Sequence, residues 1–181
     1  PLTLAKSTLI YNGNKRNITT TTFNPSTHGL VVKHSVVATT ITNIVGDYNA
    51  LSHDAANGNG IGSTLTSQHV GPFPNIDGHS VQLGERVLLK DQMTTSNLNI
   101  QNGIYVLTTM GAVASGTNPG EKWVLTRADD FNTSHEIKNA FVFIENGTQY
   151  KNSGFVCLNK DDVDFSNDST TGIIFTQFSI Q

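Results

Sequence analysis

The sequence is poor in charged residues, in cysteine and in long apolar runs. Charged residues make up 14% of the 181 residues and leave a net charge of −3 at pH 7, without the basic block of a nucleic-acid binder. The single cysteine, Cys157, excludes an internal disulfide and any metal site built from several thiolates. No apolar run approaches the roughly 20 residues of a membrane span. We therefore expect no nucleic-acid partner and no membrane insertion.

Uncharged polar residues take the place of charge. The chain contains 23 Thr, 19 Asn, 16 Gly and 14 Ser. This composition has neither the charge repulsion of a disordered chain nor the Ala, Glu, Lys and Leu content of a helical bundle. Short β-branched and aromatic runs bounded by Gly, Asn, Asp or Pro recur instead. The sequence predicts an all-β protein, an antiparallel β-sandwich or barrel-like module with long loops.

Nine segments are predicted as strands and one, residues 47–56, as helical. The predicted strands are 3–10, 17–23, 30–37, 86–90, 103–109, 122–127, 140–145, 154–158 and 173–180. Asn-Gly pairs at 12–13, 102–103 and 146–147 suit the positive φ values of tight turns. Cys157, within an apolar run, is expected to be a small buried hydrophobe. Residues 57–74 and 91–101 are predicted as long polar loops, which usually carry function or act as linkers.

Two of the predicted strands are apolar on both faces. Residues 104–107 read Ile-Tyr-Val-Leu and residues 141–144 read Phe-Val-Phe-Ile. A strand with one solvated face would alternate between apolar and polar residues. We therefore expect both strands to be covered on two sides, by a second sheet or by another subunit.

Several motifs follow one another in an order that carries a resemblance. They are VVATT at 36–40, VQLGERVLLKDQ at 81–92, NGIYVL at 102–107, WVLTRADD at 123–130, AFVFIENGT at 140–148, GFVC at 154–157 and IFTQF at 174–178. Together they resemble a module of phage tail-fibre proteins, related copies of which occur in surface proteins of large DNA viruses. The resemblance covers about residues 34–181. It implies a β-rich piece of a virion fibre that assembles as a homotrimer and has no agreed catalytic residues.

On this basis the chain divides into an arm or connecting segment, 1–31, and a fibre-type β module, 32–181. The shared motif is expected to maintain the fold. Glycines suit its turns, and its charged residues are placed to pair with one another or to cap loop backbone. The predicted structural set is Gly84, Arg86, Lys90, Asp91, Asn102, Gly103 and Arg127.

No constellation predicts a catalytic, cofactor or metal site. The six histidines lack the close spacing of a zinc site, although a trimer axis could gather three copies of His28, His34 or His135. The acidic run at 161–168 lacks the Gly and Glu positions of a calcium-binding EF-hand. No nucleophile elbow or phosphate-binding loop is present. We expect no enzyme activity, no cofactor and no metal.

Insertions relative to the short phage modules indicate where a ligand would bind. Residues 47–74, 94–100 and 110–121 are longer here, and the first two are rich in neutral donors and acceptors that match sugar hydroxyls. Aromatic rings can stack on a sugar, although Trp123 is expected in the core. The candidate ligand residues are Tyr48, Asn49, His53, Asp54, Phe73, Asn97, Asn99 and Tyr150.

The expected function is attachment. We expect a distal fibre tip on a virion surface that binds a host-surface glycan or glycoprotein. Two alternatives are a fibre spacer that binds only its neighbours and a tip that depolymerises polysaccharide.

Overall fold

The computed structural model describes residues 8–11, 14–17, 29–50, 60–92, 99–159, 163–165 and 172–179. Within these ranges the regular secondary structure is almost entirely β. The strands are β1 (Thr8–Tyr11), β2 (Asn14–Asn17), β3 (Val31–Val32), β4 (Ala38–Thr39), β5 (Asp47–Asn49), β6 (Thr64–Thr66), β7 (Arg86–Leu89), β8 (Gly103–Thr109), β9 (Val124–Arg127), β10 (Ala140–Phe143), β11 (Gly154–Cys157) and β12 (Phe175–Ser179). A short helix α1 (Ser134–Ile137) and 3-10 turns at Asn99–Gln101 and Asp129–Phe131 complete the described elements.

The strands form a hairpin and two larger sheets. β1 and β2 pair with each other, with Tyr11 opposite Asn14. The six-stranded sheet has the order β4-β7-β8-β9-β6-β5, and the four-stranded sheet has the order β12-β11-β10-β3. Neighbours are antiparallel except for the pairs β3–β10 and β4–β7, which are parallel. Residues 31–39 therefore supply an edge strand to each sheet.

The first apolar cluster fills the space between the two sheets. Leu88 and Ile104 contribute from the six-stranded sheet, and Val142 and Phe155 contribute from the four-stranded sheet. Burial of each such apolar side chain stabilises the folded protein by about 1.5–3 kcal/mol. Cys157 belongs to the same cluster, and burial raises the pKa of its thiol to about 11. The protein is an all-β sandwich, so the predicted fold class and the buried Cys157 are confirmed.

A second cluster covers the opposite face of the six-stranded sheet. Tyr105 and Leu107 of β8 pack there with Phe73, Ile76 and Val81 from the segment between β6 and β7. β8 is therefore covered on both faces by its own chain, as its apolar sequence predicts. β10 differs, because Phe143 on its outer face is 40% exposed.

Strands β7 to β12 lie within the predicted segments, whereas the strands before them depart from the prediction in four places. β2 overlaps the predicted strand 17–23 only at Asn17, and β4 follows the end of the predicted strand 30–37. Residues 47–49 form β5 rather than a helix, because Tyr48 pairs with Leu65 of β6 and Leu65 is fully buried. β6 lies within the segment predicted as a loop. In both cases tertiary pairing overrides local preference. The predicted helical residues 51–56, and most of the predicted strand 17–23, lie outside the described residues.

Helix α1 has a start signal that the strand-based prediction overlooked. Thr133 and Glu136 have the spacing of a capping box. The Glu136 carboxylate accepts hydrogen bonds from the backbone N–H groups of Thr133 (3.1 Å) and Asn132 (3.0 Å). The helix places buried Ile137 in the cluster between the sheets.

Candidate ligand-binding site

A buried arginine lies at the C-terminal end of β9. Arg127 is 1% exposed, and its guanidinium donates to the carbonyl oxygens of Ile100 (2.9 Å) and Asn102 (3.0 Å). It also donates to the hydroxyls of Tyr48 (3.1 Å) and Tyr105 (2.8 Å). Among the residues that the structure describes, no carboxylate forms an ion pair with it. The buried charge is therefore balanced by four neutral acceptors.

Aromatic rings enclose the same guanidinium. Its central carbon lies 4.8 Å from the ring centres of both Tyr105 and Phe165 and 5.8 Å from that of Tyr48. Rings at this distance attract a cation through their π faces. Burial raises the pKa of Tyr105, so its hydroxyl stays protonated beside an arginine that stays charged. We call Arg127 with Tyr48, Ile100, Asn102, Tyr105 and Phe165 the Arg127 hub.

Asn102 connects the hub to two further segments. Its amide oxygen accepts from the Gln92 backbone N–H (2.8 Å), and its amide nitrogen donates to the Ile173 carbonyl (2.9 Å). Gly60 packs against the Phe165 ring, where an added Cβ would lie 2.5 Å from the ring. Gln92, Gly60 and Ile173 flank the polar segments 93–98, 51–59 and 166–171. The described ends of all three segments therefore gather at the Arg127 hub.

Three predicted ligand residues lie at this end of the sandwich. Tyr48 is half-buried and its hydroxyl binds Arg127, while the neighbouring Asn49 is exposed on β5, an edge strand. Asn99 begins the 3-10 turn that carries Ile100. The structure thus brings together the two insertions from which these residues come. His53, Asp54 and Asn97 lie outside the described residues.

Phe73 and Tyr150 lie elsewhere. Phe73 is 8% exposed and packs edge-on against Trp123 at 5.2 Å, so it is a core residue with no ring face open to a sugar. Tyr150 is half-buried, packs edge-on against Phe155 at 5.3 Å and lies 4.6 Å from the Lys90 ammonium. Neither ring joins the Arg127 hub, and Trp123 is buried as expected.

The charged residues of the motif at 81–92 make structural contacts. One nitrogen of Arg86 binds both carboxylate oxygens of Asp130, at 2.8 and 3.0 Å. The Lys90 ammonium binds Asp91, which also accepts from the Thr40 hydroxyl. At the turn before β7, Gly84 has a φ of +84°, which favours glycine.

An open groove of about 490 Å³ lies on the six-stranded sheet. Its floor contains Val106, Thr108 and Thr126, and its rim contains His34, Asp129, Asp130 and Arg86. We call it the threonine groove, because the hydroxyl oxygens of Thr108 and Thr126 lie 2.9 Å apart on its floor. The sequence gives no signal for it, since its residues come from four separate segments.

The four-stranded sheet has an apolar outer surface. Val32 (74% exposed), Phe178 (64%) and Phe143 (40%) lie on this side, and Phe178 packs edge-on against Phe141 at 5.9 Å. None of the side chains on this surface is charged. The outer apolar face comprises Val32, Phe141, Phe143, Val156, Leu158, Ile174 and Phe178, and the uncharged Thr176 lies among them opposite Val156.

Within the described ranges, no three His, Cys, Asp or Glu side chains converge on a point where a metal ion could bind. No helix in those ranges is long and apolar enough to cross a membrane.

Comparisons with protein-family models, with curated protein sequences and with solved structures each found no match to this chain.

Proposed function

We propose that the chain is a module at the distal tip of a viral or phage-like fibre and attaches to a glycan or glycoprotein on the host surface. The observation that carries this proposal is that the described ends of three polar segments gather at the Arg127 hub. Loops held on a rigid scaffold are a common way of presenting binding residues. The motifs shared with tail-fibre modules support the assignment to a fibre on the virion surface.

Neutral side chains suit the recognition of sugars. Asn, Gln, Ser and Thr both donate and accept hydrogen bonds, as sugar hydroxyls do. Individual contacts of this kind are weak. Several copies in one fibre gain strength because each bound copy raises the effective concentration of the others at the surface.

The outer apolar face supports assembly with further copies of the chain. A contiguous exposed apolar patch commonly marks an interaction site. Since the patch has no charged side chain, it suits an apolar partner surface, such as the same face of another copy. We propose a homotrimer, in which the remaining open side of β10 is covered by a neighbour.

Substituting Phe143→Ser together with Phe178→Ser should dissociate this assembly. Each buried Phe contributes about 1.5–3 kcal/mol, so we expect the dissociation constant to rise at least about 100-fold. Light scattering coupled to size exclusion measures the mass of wild type and variant. Leu83→Ser is the control, because Leu83 is 62% exposed on a different surface. A monomeric wild type, or a double variant of unchanged mass, would refute the proposed interface.

Attachment is tested by binding of the labelled protein to candidate host cells, with and without enzymatic removal of surface glycans. We expect wild type to bind and the variant His53→Ala/Asn97→Ala to bind at least about tenfold more weakly, as expected for two lost polar contacts. His69→Ala/Asn75→Ala makes the same chemical changes at exposed positions in a different segment.

The same cell-binding experiment also decides whether the module is an attachment tip or a fibre spacer. The outer apolar face is the observation that favours a spacer. A folded, associated wild type that binds no cell or glycan would exclude attachment and support that alternative.

A further inference from the structure

The floor of the threonine groove combines hydroxyl groups with a small apolar surface. Thr108 is exposed and lies beside half-buried Thr126, with Val106 next to them on β8. Sugars present hydroxyls at their edges and C–H groups on their ring faces. Such a floor therefore matches both surfaces of a sugar ring. Its volume of about 490 Å³ falls within the roughly 300–1,000 Å³ of small-ligand sites.

Two polar groups on the rim have no partner among the described residues. The exposed Asp129 carboxylate and the exposed His34 imidazole make no hydrogen bond or ion pair there, although His34 backbone atoms contact Asp130 and Arg86. A carboxylate accepts strong hydrogen bonds from hydroxyl donors, and an imidazole both donates and accepts. These groups are available to a ligand, whereas Arg86 and Asp130 already bind each other.

The charges around the groove balance. Its lining contains the cations Arg86 and Arg127 and the carboxylates of Asp129 and Asp130. Behind the lining, the buried Lys33 interacts electrostatically with Asp130 and Glu136, which adds one cation and one carboxylate. An acidic sugar would therefore find no excess of positive charge, and the free Asp129 carboxylate would repel it.

We propose that the threonine groove is the site that binds host glycan and that its ligand is an uncharged oligosaccharide. Asp129 accepts from sugar hydroxyls and Val106 contacts the C–H face. Thr108 accepts at the floor, because its own hydroxyl hydrogen is directed to the Val124 carbonyl (3.2 Å) or to Thr126. This inference rests on the proposed attachment function and adds the class of sugar and the residues that select it. The contribution of the segments that begin at the Arg127 hub is measured separately by the His53→Ala/Asn97→Ala variant.

The test uses the full chain on a printed panel of neutral oligosaccharides, each paired with its sialylated form. We expect wild type to bind neutral members at least tenfold more strongly than their sialylated partners. Asp129→Asn and Thr108→Val should each weaken this binding at least tenfold. Glu121→Gln and Thr117→Val make matching changes at exposed positions outside the groove and should leave it unchanged. Thermal melting verifies that all four variants fold.

Two results would overturn the proposal that the threonine groove binds glycan, while leaving the proposed attachment function intact. One is normal binding to host cells by both groove variants, and the other is a preference of wild type for the sialylated members. If folded wild type binds neither cells nor any panel member, both the groove and the attachment function are refuted.

Discussion

Replacing Arg127 by lysine is expected to lower the free energy of unfolding by at least about 3 kcal/mol, because the change leaves a cation buried among unpaired polar groups. Lysine offers three donors on a single nitrogen and lacks the planar fork that reaches four acceptors in different directions. Carbonyl and hydroxyl groups of the hub would lose their partner. Urea denaturation followed by the fluorescence of Trp123, the single tryptophan, measures the loss.

The same substitution at Arg86 is the control. Arg86 and Asp130 form a bidentate pair, but their side chains retain 21% and 26% of their exposure. Lysine keeps the charge there, and partly exposed pairs contribute about 1 kcal/mol or less. If Arg127→Lys and Arg86→Lys lowered the free energy of unfolding equally, the Arg127 hub would contribute no more to stability than a partly exposed ion pair.

The substitution Gly103→Ala, which adds one methyl group, is expected to lower the free energy of unfolding by about 2–4 kcal/mol. Overpacking and backbone strain both contribute. Gly103 has a φ of +148°, and an added Cβ would lie 2.2 Å from a guanidinium nitrogen of Arg127 and 3.2 Å from the Phe131 ring. Because the hub holds Arg127 on several sides, the side chain has no room to retreat. The same urea experiment measures the effect of Gly103→Ala.

Gly84→Ala separates strain from crowding. Gly84 has a φ of +84° and no atom within 4 Å of the position of an added Cβ. Only the backbone penalty applies, which is about 1–2 kcal/mol. If Gly84→Ala destabilised the protein as much as Gly103→Ala does, contact with Arg127 would not be the reason for glycine at position 103.

The sequence was sufficient where local pattern and tertiary structure agree. The apolar run at 104–107 predicts β8 because Ile104, Tyr105 and Leu107 are buried in the chain itself, on the two faces of the strand. Local pattern was misleading at Tyr48, whose strand depends on pairing with Leu65 across a polar segment. The capping box of Thr133 and Glu136 is visible in the sequence and marks the start of α1 by local pattern alone.

Both candidate sites were beyond the reach of sequence patterns for a different reason. Arg127 was predicted as a structural residue, but its partners Tyr48, Ile100 and Phe165 come from distant segments. The threonine groove likewise combines His34 with Thr108 and Asp129. Spacing along a chain cannot show such contacts, because only the pairing of the sheets brings the segments together.

The path of residues 31–39 through both sheets has a consequence for synthesis. Val31 pairs with Ala140, so the nascent chain must wait for its partner for roughly 5–20 s at ordinary rates of translation. β4 waits for Val87, and β12 is the last of the described strands to be synthesised. The outer apolar face contains residues of β3, β10, β11 and β12, so it forms only after β12 has left the ribosome. A chain that ends before β12 would therefore lack Phe178 and could not form the proposed interface in full.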